Sequence, residues 1–83
     1  MKNISLIIPA YKPDEKLLST IADAKRAGFE DILIIDDGSG KEFENVFSSV
    51  EEISGCTLLR HDVNKGKGAA LRTAFTYFLE NRN

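Results

Sequence analysis

Three short apolar runs, each closed by a polar segment and followed by residues of helical period, set the tightest limit on how these 83 residues can fold. Ile4-Ser5-Leu6-Ile7-Ile8 is the first run, stopped by Pro9, and has the continuous apolar character of a strand buried in a parallel sheet. Asp31 to Ile35 is the second and ends at the acid pair Asp36-Asp37. Cys56 to Leu59 is the third, less apolar and quick to reach Arg60, His61 and Asp62, as an edge strand is. Between the runs, Leu17, Leu18, Ile21 and Ala24 recur at helical spacing, and so do Phe43, Val46, Phe47 and Val50. Pro13 fits the first turn of the first of these helices, with Asp14 and Glu15 at its positive end and Gly28 as its stop. The last segment, from about Gly66 to Glu80, sets Leu71, Ala74, Phe75, Phe78 and Leu79 on one apolar face.

The order β-α-β-α-β-α predicts an α/β fold: parallel strands, right-handed crossovers and helices covering the sheet in three layers. Residues 1–83 make one small domain, and a chain of this size buries roughly 60–65% of its unfolded surface. With 42% hydrophobic and 29% charged residues the composition is that of a folded soluble domain, and a net charge of −2 offers no general attraction to nucleic acid or anionic membranes. Cys56 is the only cysteine, so no intrachain disulfide forms, and it reads as a reduced thiol packed as a small hydrophobe. No apolar stretch approaches the roughly 18 residues of a membrane helix. The few residues ahead of Pro9 are too short for a secretory signal, which reads as a cytoplasmic chain without membrane insertion.

In open α/β sheets, ligands bind outside the carboxyl ends of the strands. Three polar segments fall there: "PAYKPDE" (9–15), "DDGSGK" (36–41) and "HDVNKGKG" (61–68). The acid pair is the unusual one, because adjacent carboxylates repel and burying either without a partner is costly. It is therefore a solvated turn or part of a binding site. A dinucleotide fingerprint is excluded, since "PAYKPD" stands where G-x-G-x-x-G would be needed; no P-loop occurs, and one His with one Cys is too few for zinc. The glycines of "NKGKG" open a helix whose amides, with Lys65 and Lys67, suit a phosphate; the alternative is that Asn64 caps the helix and the lysines are solvated. His61 reads as a surface residue of the edge strand rather than a catalytic base.

Taken together, "SLIIPAY", "ILIIDDGSG" and "NKGKGAALRTAF", in this order and spacing, resemble the N-terminal part of a family 2 glycosyltransferase, most closely the branch of the polyprenyl-phosphate (dolichyl-phosphate) sugar synthases. The resemblance implies half of a GT-A, Rossmann-like domain with strand order 3-2-1, forming the nucleotide side of a nucleotide-sugar site. Pro9, Ala10 and Tyr11 would line the base pocket and Asp37 would accept a hydrogen bond from the base, the N3–H of uracil. Asp36 and Ser39 would shape the turn, with Gly38 letting the backbone turn next to the ligand, and Lys67 would serve the diphosphate. One departure is Lys12-Pro13, where the branch often has Asn-Glu.

By the same resemblance the parent enzyme moves a sugar from a uridine-linked nucleotide diphosphate to an acceptor, using Mg²⁺ or Mn²⁺ and a carboxylate base. The family carries its D-x-D metal motif and its base after the last helix. The implication is a truncated piece with no catalytic or metal-ligating residue of its own, inactive alone. The rival readings are a free-standing nucleotide-binding or regulatory module and a purely structural α/β domain. The parent's next strand would pair with the first, so Ile4 to Ile8 is expected to be an open apolar edge, with Phe75 and Phe78 facing inward above it. An edge of that kind predicts a homo-oligomer through the first strand.

Overall fold

A computed structural model describes residues 5–81. Three strands and three α-helices alternate: β1 (Ser5–Ala10), α1 (Lys16–Arg26), β2 (Asp31–Asp37), α2 (Glu44–Glu51, entered through a 3-10 turn at Lys41–Phe43), β3 (Cys56–His61) and α3 (Lys67–Asn81). The strands form one parallel sheet in the order β1-β2-β3, the expected 3-2-1 read from the other edge. β2 is central, in register from Ser5↔Asp31 to Ala10↔Asp36 on one side and from Ile32↔Cys56 to Asp37↔His61 on the other. Every β2 residue from Ile32 to Asp37 is buried, which accounts for its unbroken Ile-Leu-Ile-Ile run.

Helices α1 and α2 cover one face. There Leu17, Ile21 and Ala24 meet Ile32, Ile34, Phe47 and Val50, with Cys56 and Leu58 packed around them. Burial raises the Cys56 thiol pKa, the nearby Lys25 opposing it, and the residue packs as the small hydrophobe its sequence suggested. Helix α3 covers the other face alone, through Ala70 and Ala74 on Leu33 and Ile35. The result is three layers.

The chain departs from its sequence reading at several points. β1 continues through Pro9 to Ala10, because an edge strand loses nothing by lacking one outward N–H. Ile4 lies outside the described residues. Helix α1 starts at Lys16, after Pro13, and Asp14 begins it by accepting the Lys16 amide on Oδ1 (2.9 Å) and the Leu17 amide on its carbonyl (3.1 Å). Gly28 does stop it: at φ +106° its amide bonds the Lys25 carbonyl while Phe29 N–H reaches back to Ala24, a Schellman end. The inward assignment of Phe75 fails. Phe78 is partly buried, but Phe75 is 60% exposed, with Leu71 and Leu79 also exposed. Two alanines one turn apart let α3 lie close to the sheet, and the bulky i, i+4, i+8 row at 71, 75 and 79 falls on the helix's flank.

Gly38 closes the end of β2 at φ +72°, and a Cβ there would stand 2.2 Å from both the Asn64 nitrogen and the Val63 carbonyl carbon. The turn after β2 and the turn after β3 are thus in backbone contact, and what Gly38 approaches is protein. Gly38→Ala is expected to cost roughly 2–4 kcal/mol, the sum of left-handed strain and a backbone overlap. Gly28→Ala, equally left-handed but in open space, should cost only about 1 kcal/mol. Urea unfolding of the two variants compares them.

Among the described residues no strand pairs with the outer side of β1, and α3 packs across β1 and β2 with its apolar flank uncovered. The chain is expected to self-associate through this edge. Light scattering at micromolar concentration should show a dimer or larger; a monomer whose Leu6 and Ile7 amides exchange as slowly as those of β2 would refute it.

Candidate functional site

The turns leaving the three strands meet at one end of the sheet. Pro9, Ala10 and Tyr11 from the first, Asp37 from the second, and Asn64, Gly66 and Lys67 from the third line a cavity of about 310 Å³. Five of the sequence-predicted residues are gathered here: Pro9, Ala10, Tyr11, Asp37 and Lys67. Asp36 and Ser39 sit one step away, on a cavity of about 230 Å³ shared with Lys41 and Arg60. A larger hollow, about 520 Å³, lies between β3 and α3, lined by Leu59, His61, Lys65, Arg72, Thr73 and Thr76, on the other side of the donors that His61 and Lys65 give to Asp37.

Neither acid of the pair is solvated. Asp37 is 4% exposed and its two oxygens meet four donors. Oδ1 accepts from His61 Nδ1 at 2.7 Å and from the Lys65 amide at 2.9 Å. Oδ2 accepts from the Gly66 amide at 2.8 Å and from Asn64 Nδ2 at 3.0 Å, and Asn64 Nδ2 also donates to the Asp37 carbonyl at 3.2 Å. The His61 hydrogen bond foremost, then the Lys65 amide, hold this carboxyl below the ordinary carboxylate range, against the desolvation that burial brings. A buried charge with all four acceptor positions met is stable where an unpaired one is not. It also fastens the third turn to the end of β2. Asn64 therefore serves Asp37 rather than capping α3, whose first intrahelical bond runs from the Ala70 amide to the Gly66 carbonyl.

Asp36 uses Oδ1 to accept the Ser39 amide at 3.0 Å, which folds 36–39 into an Asx turn. Its Oδ2 lies 3.9 Å from the Arg60 guanidinium, which itself grips Glu44 with two bonds of 2.9 and 3.1 Å. Ser39 Oγ accepts the Lys12 amide at 2.9 Å and so ties the first turn to the second. Lys12 is the one non-glycine among the described residues at positive φ, +49°, a conformation in which its ammonium lies over the Tyr11 ring at 5.3 Å. The expected turn-shaping parts of Asp36 and Ser39 have this geometry as their support.

His61 corrects the sequence reading most. Its side chain is 7% exposed rather than on the surface, with Nδ1 on Asp37 and Nε2 on Thr73 Oγ1, each at 2.7 Å. Asn64 and Thr73 are the other participants that the sequence did not single out for this site. His61 and Thr73 lie 12 positions apart on different elements, and no local pattern links them. Asn64 had a signal, its place in a turn at a strand's carboxyl end.

Among the described residues, no three His, Cys, Asp or Glu side chains stand together as a metal site. Asp37 directs both oxygens at protein donors and Asp36 directs Oδ1 at the Ser39 amide with Oδ2 toward Arg60, so the acid pair by itself does not fit a divalent ion. No helix among them is long and apolar enough to cross a membrane.

An uncharacterized protein of Methanocaldococcus jannaschii is 30% identical over 70 residues, covering 84% of this chain and 27% of that protein, so the chain spans about a quarter of the relative's length. No solved structure matches. The model of "Glycosyl transferase family 2" matches residues 5–79, from the first residue of β1 to within the last turn of α3. The chain belongs to glycosyl transferase family 2.

Proposed function

We propose that the cavity between the three turns holds the nucleoside diphosphate of a sugar donor, uridine-linked, and that this chain is the donor-binding part of a glycosyltransferase of the polyprenyl-phosphate sugar synthase type. The observation that carries the reading is the convergence of Pro9, Ala10, Tyr11, Asp37 and Lys67 on one cavity at the carboxyl ends of parallel strands. Tyr11, half exposed, offers a ring on which a base can stack. At the opposite side, Lys67 opens α3, and the amides of Lys67, Gly68 and Ala69 precede the helix's first internal bond. Unsatisfied amides, the helix dipole and an ammonium together favour a diphosphate.

Asp37 presents its two oxygens differently. Asn64 and Gly66, the donors on Oδ2, line the cavity, whereas His61 and Lys65, the donors on Oδ1, do not. Oδ2 is the oxygen that faces the ligand. A base imide N–H reaches it by displacing the Asn64 carboxamide, the one side-chain donor it carries. The sugar and the acceptor would be met by parts of the whole protein other than these turns, and so would any Mg²⁺ or Mn²⁺.

Calorimetric titration with uridine diphosphate tests the reading. Asp37→Ala should weaken binding by about 1.5–3 kcal/mol, the worth of a charged hydrogen bond. Asp36→Asn, which keeps an acceptor for the Ser39 amide, should weaken it less; equal affinity of wild type and Asp37→Ala sinks the assignment. Residues 1–83 by themselves are expected to give no sugar transfer with Mn²⁺ or Mg²⁺. Turnover that vanishes in Asp37→Ala would show a complete site here instead.

A further inference from the structure

We propose that His61 is the positioning residue of this pocket, fixing the plane of the Asp37 carboxylate so that Oδ2 faces the ligand; the proposal rests on reading the cavity as the nucleotide pocket. An aspartate's terminal torsion is soft, so the direction of its oxygens is set by hydrogen bonds rather than by the side chain's own preferences. Of the four donors on Asp37, three belong to the turn of Asn64, Lys65 and Gly66. That turn lies against Gly38 and leads into α3, but its three donors are also the groups that Asp37 itself holds in place. The fourth donor is His61, which stands on β3, opposite Asp37 in the sheet register, and is anchored from behind by Thr73 on α3.

The protonation pattern follows from the partners. Asp37 is ionised and only accepts, so Nδ1 carries a proton and donates, while Nε2 shares its hydrogen bond with the Thr73 hydroxyl, a group that can both donate and accept. The order carboxylate, imidazole, hydroxyl also occurs in nucleophilic triads, but Thr73 lies inside α3, where the neighbouring amides are committed to the helix and leave no oxyanion donors. The arrangement orients; it does not attack.

Three variants and one spectrum test this. His61→Phe, which keeps a flat ring and removes both nitrogens, should weaken uridine diphosphate binding about tenfold and speed hydrogen exchange at the Lys65 and Gly66 amides. His61→Asn, whose Nδ2 stands near the place of Nδ1, should recover most of both effects, a rescue that a role in packing would not produce. Thr73→Val should leave the Asp37 contact and alter the imidazole's nitrogen resonances. In the wild type, nitrogen-15 spectra should show a proton on Nδ1. Exchange rates in His61→Phe equal to wild type, failure of His61→Asn to rescue, or an Nδ1 without a proton would overturn the proposal. Should His61→Phe not fold, the Asn variant and the wild-type Nδ1 proton decide. Absence of nucleotide binding in the wild type would remove the nucleotide reading, and the amide exchange and the Nδ1 proton would still judge His61.

Discussion

A carboxylate almost wholly removed from water, at the end of the central strand of a three-stranded sheet, is tolerable only if every lone pair finds a donor. Asp37 meets that requirement with a ring nitrogen from β3, a side-chain amide and two backbone amides from the turn before α3. Removing it would leave a buried imidazole and two inward-pointing amides without an acceptor, so its loss reaches well beyond one contact. The path of residues 63–66, the start of α3 and the shape of the cavity beside Lys67 all follow from meeting this one charge. Gly38 is the steric counterpart: the third turn passes so close to the end of β2 that no side chain fits between them.

Adjacent acids in one strand point to opposite faces of the sheet. That alternation separates the neighbours of Asp36 and Asp37 and resolves their repulsion. Asp36 turns to Ser39 and the Arg60–Glu44 pair on the side of α2, and Asp37 turns to His61 and the turn before α3. Two like charges side by side in sequence therefore do different work. One shapes the turn that holds Ser39 against the Lys12 amide; the other organises the cavity.

The family match spans every residue that lines the cavity between the three turns. The family match covers the whole α/β unit, and the aligned relative extends far beyond it. The geometry adds a division of labour on a single carboxylate, with Oδ1 held by His61 of β3 and the Lys65 amide and Oδ2 held by Asn64 and the Gly66 amide beside the cavity.

Strand identity, helix identity, their alternation and the place of the three turns were legible in the residues, because burial on both faces demands unbroken apolar runs and amphipathic helices demand a period of 3.6. The acid pair, Gly38 and the "NKGKG" turn were legible as unusual for the same local reasons. What local pattern does not contain is which donors a buried charge will find. His61 looked like an edge residue because β3 is an edge; only the register Asp37↔His61 and the crossing of α3 bring its ring between Asp37 and Thr73. The inward face of α3 was likewise decided by the close approach of Ala70 and Ala74 to Leu33 and Ile35, which turns the Leu71, Phe75 and Leu79 row away. Periodicity marks an apolar face; which part of it touches the sheet is set by how closely two backbones can approach.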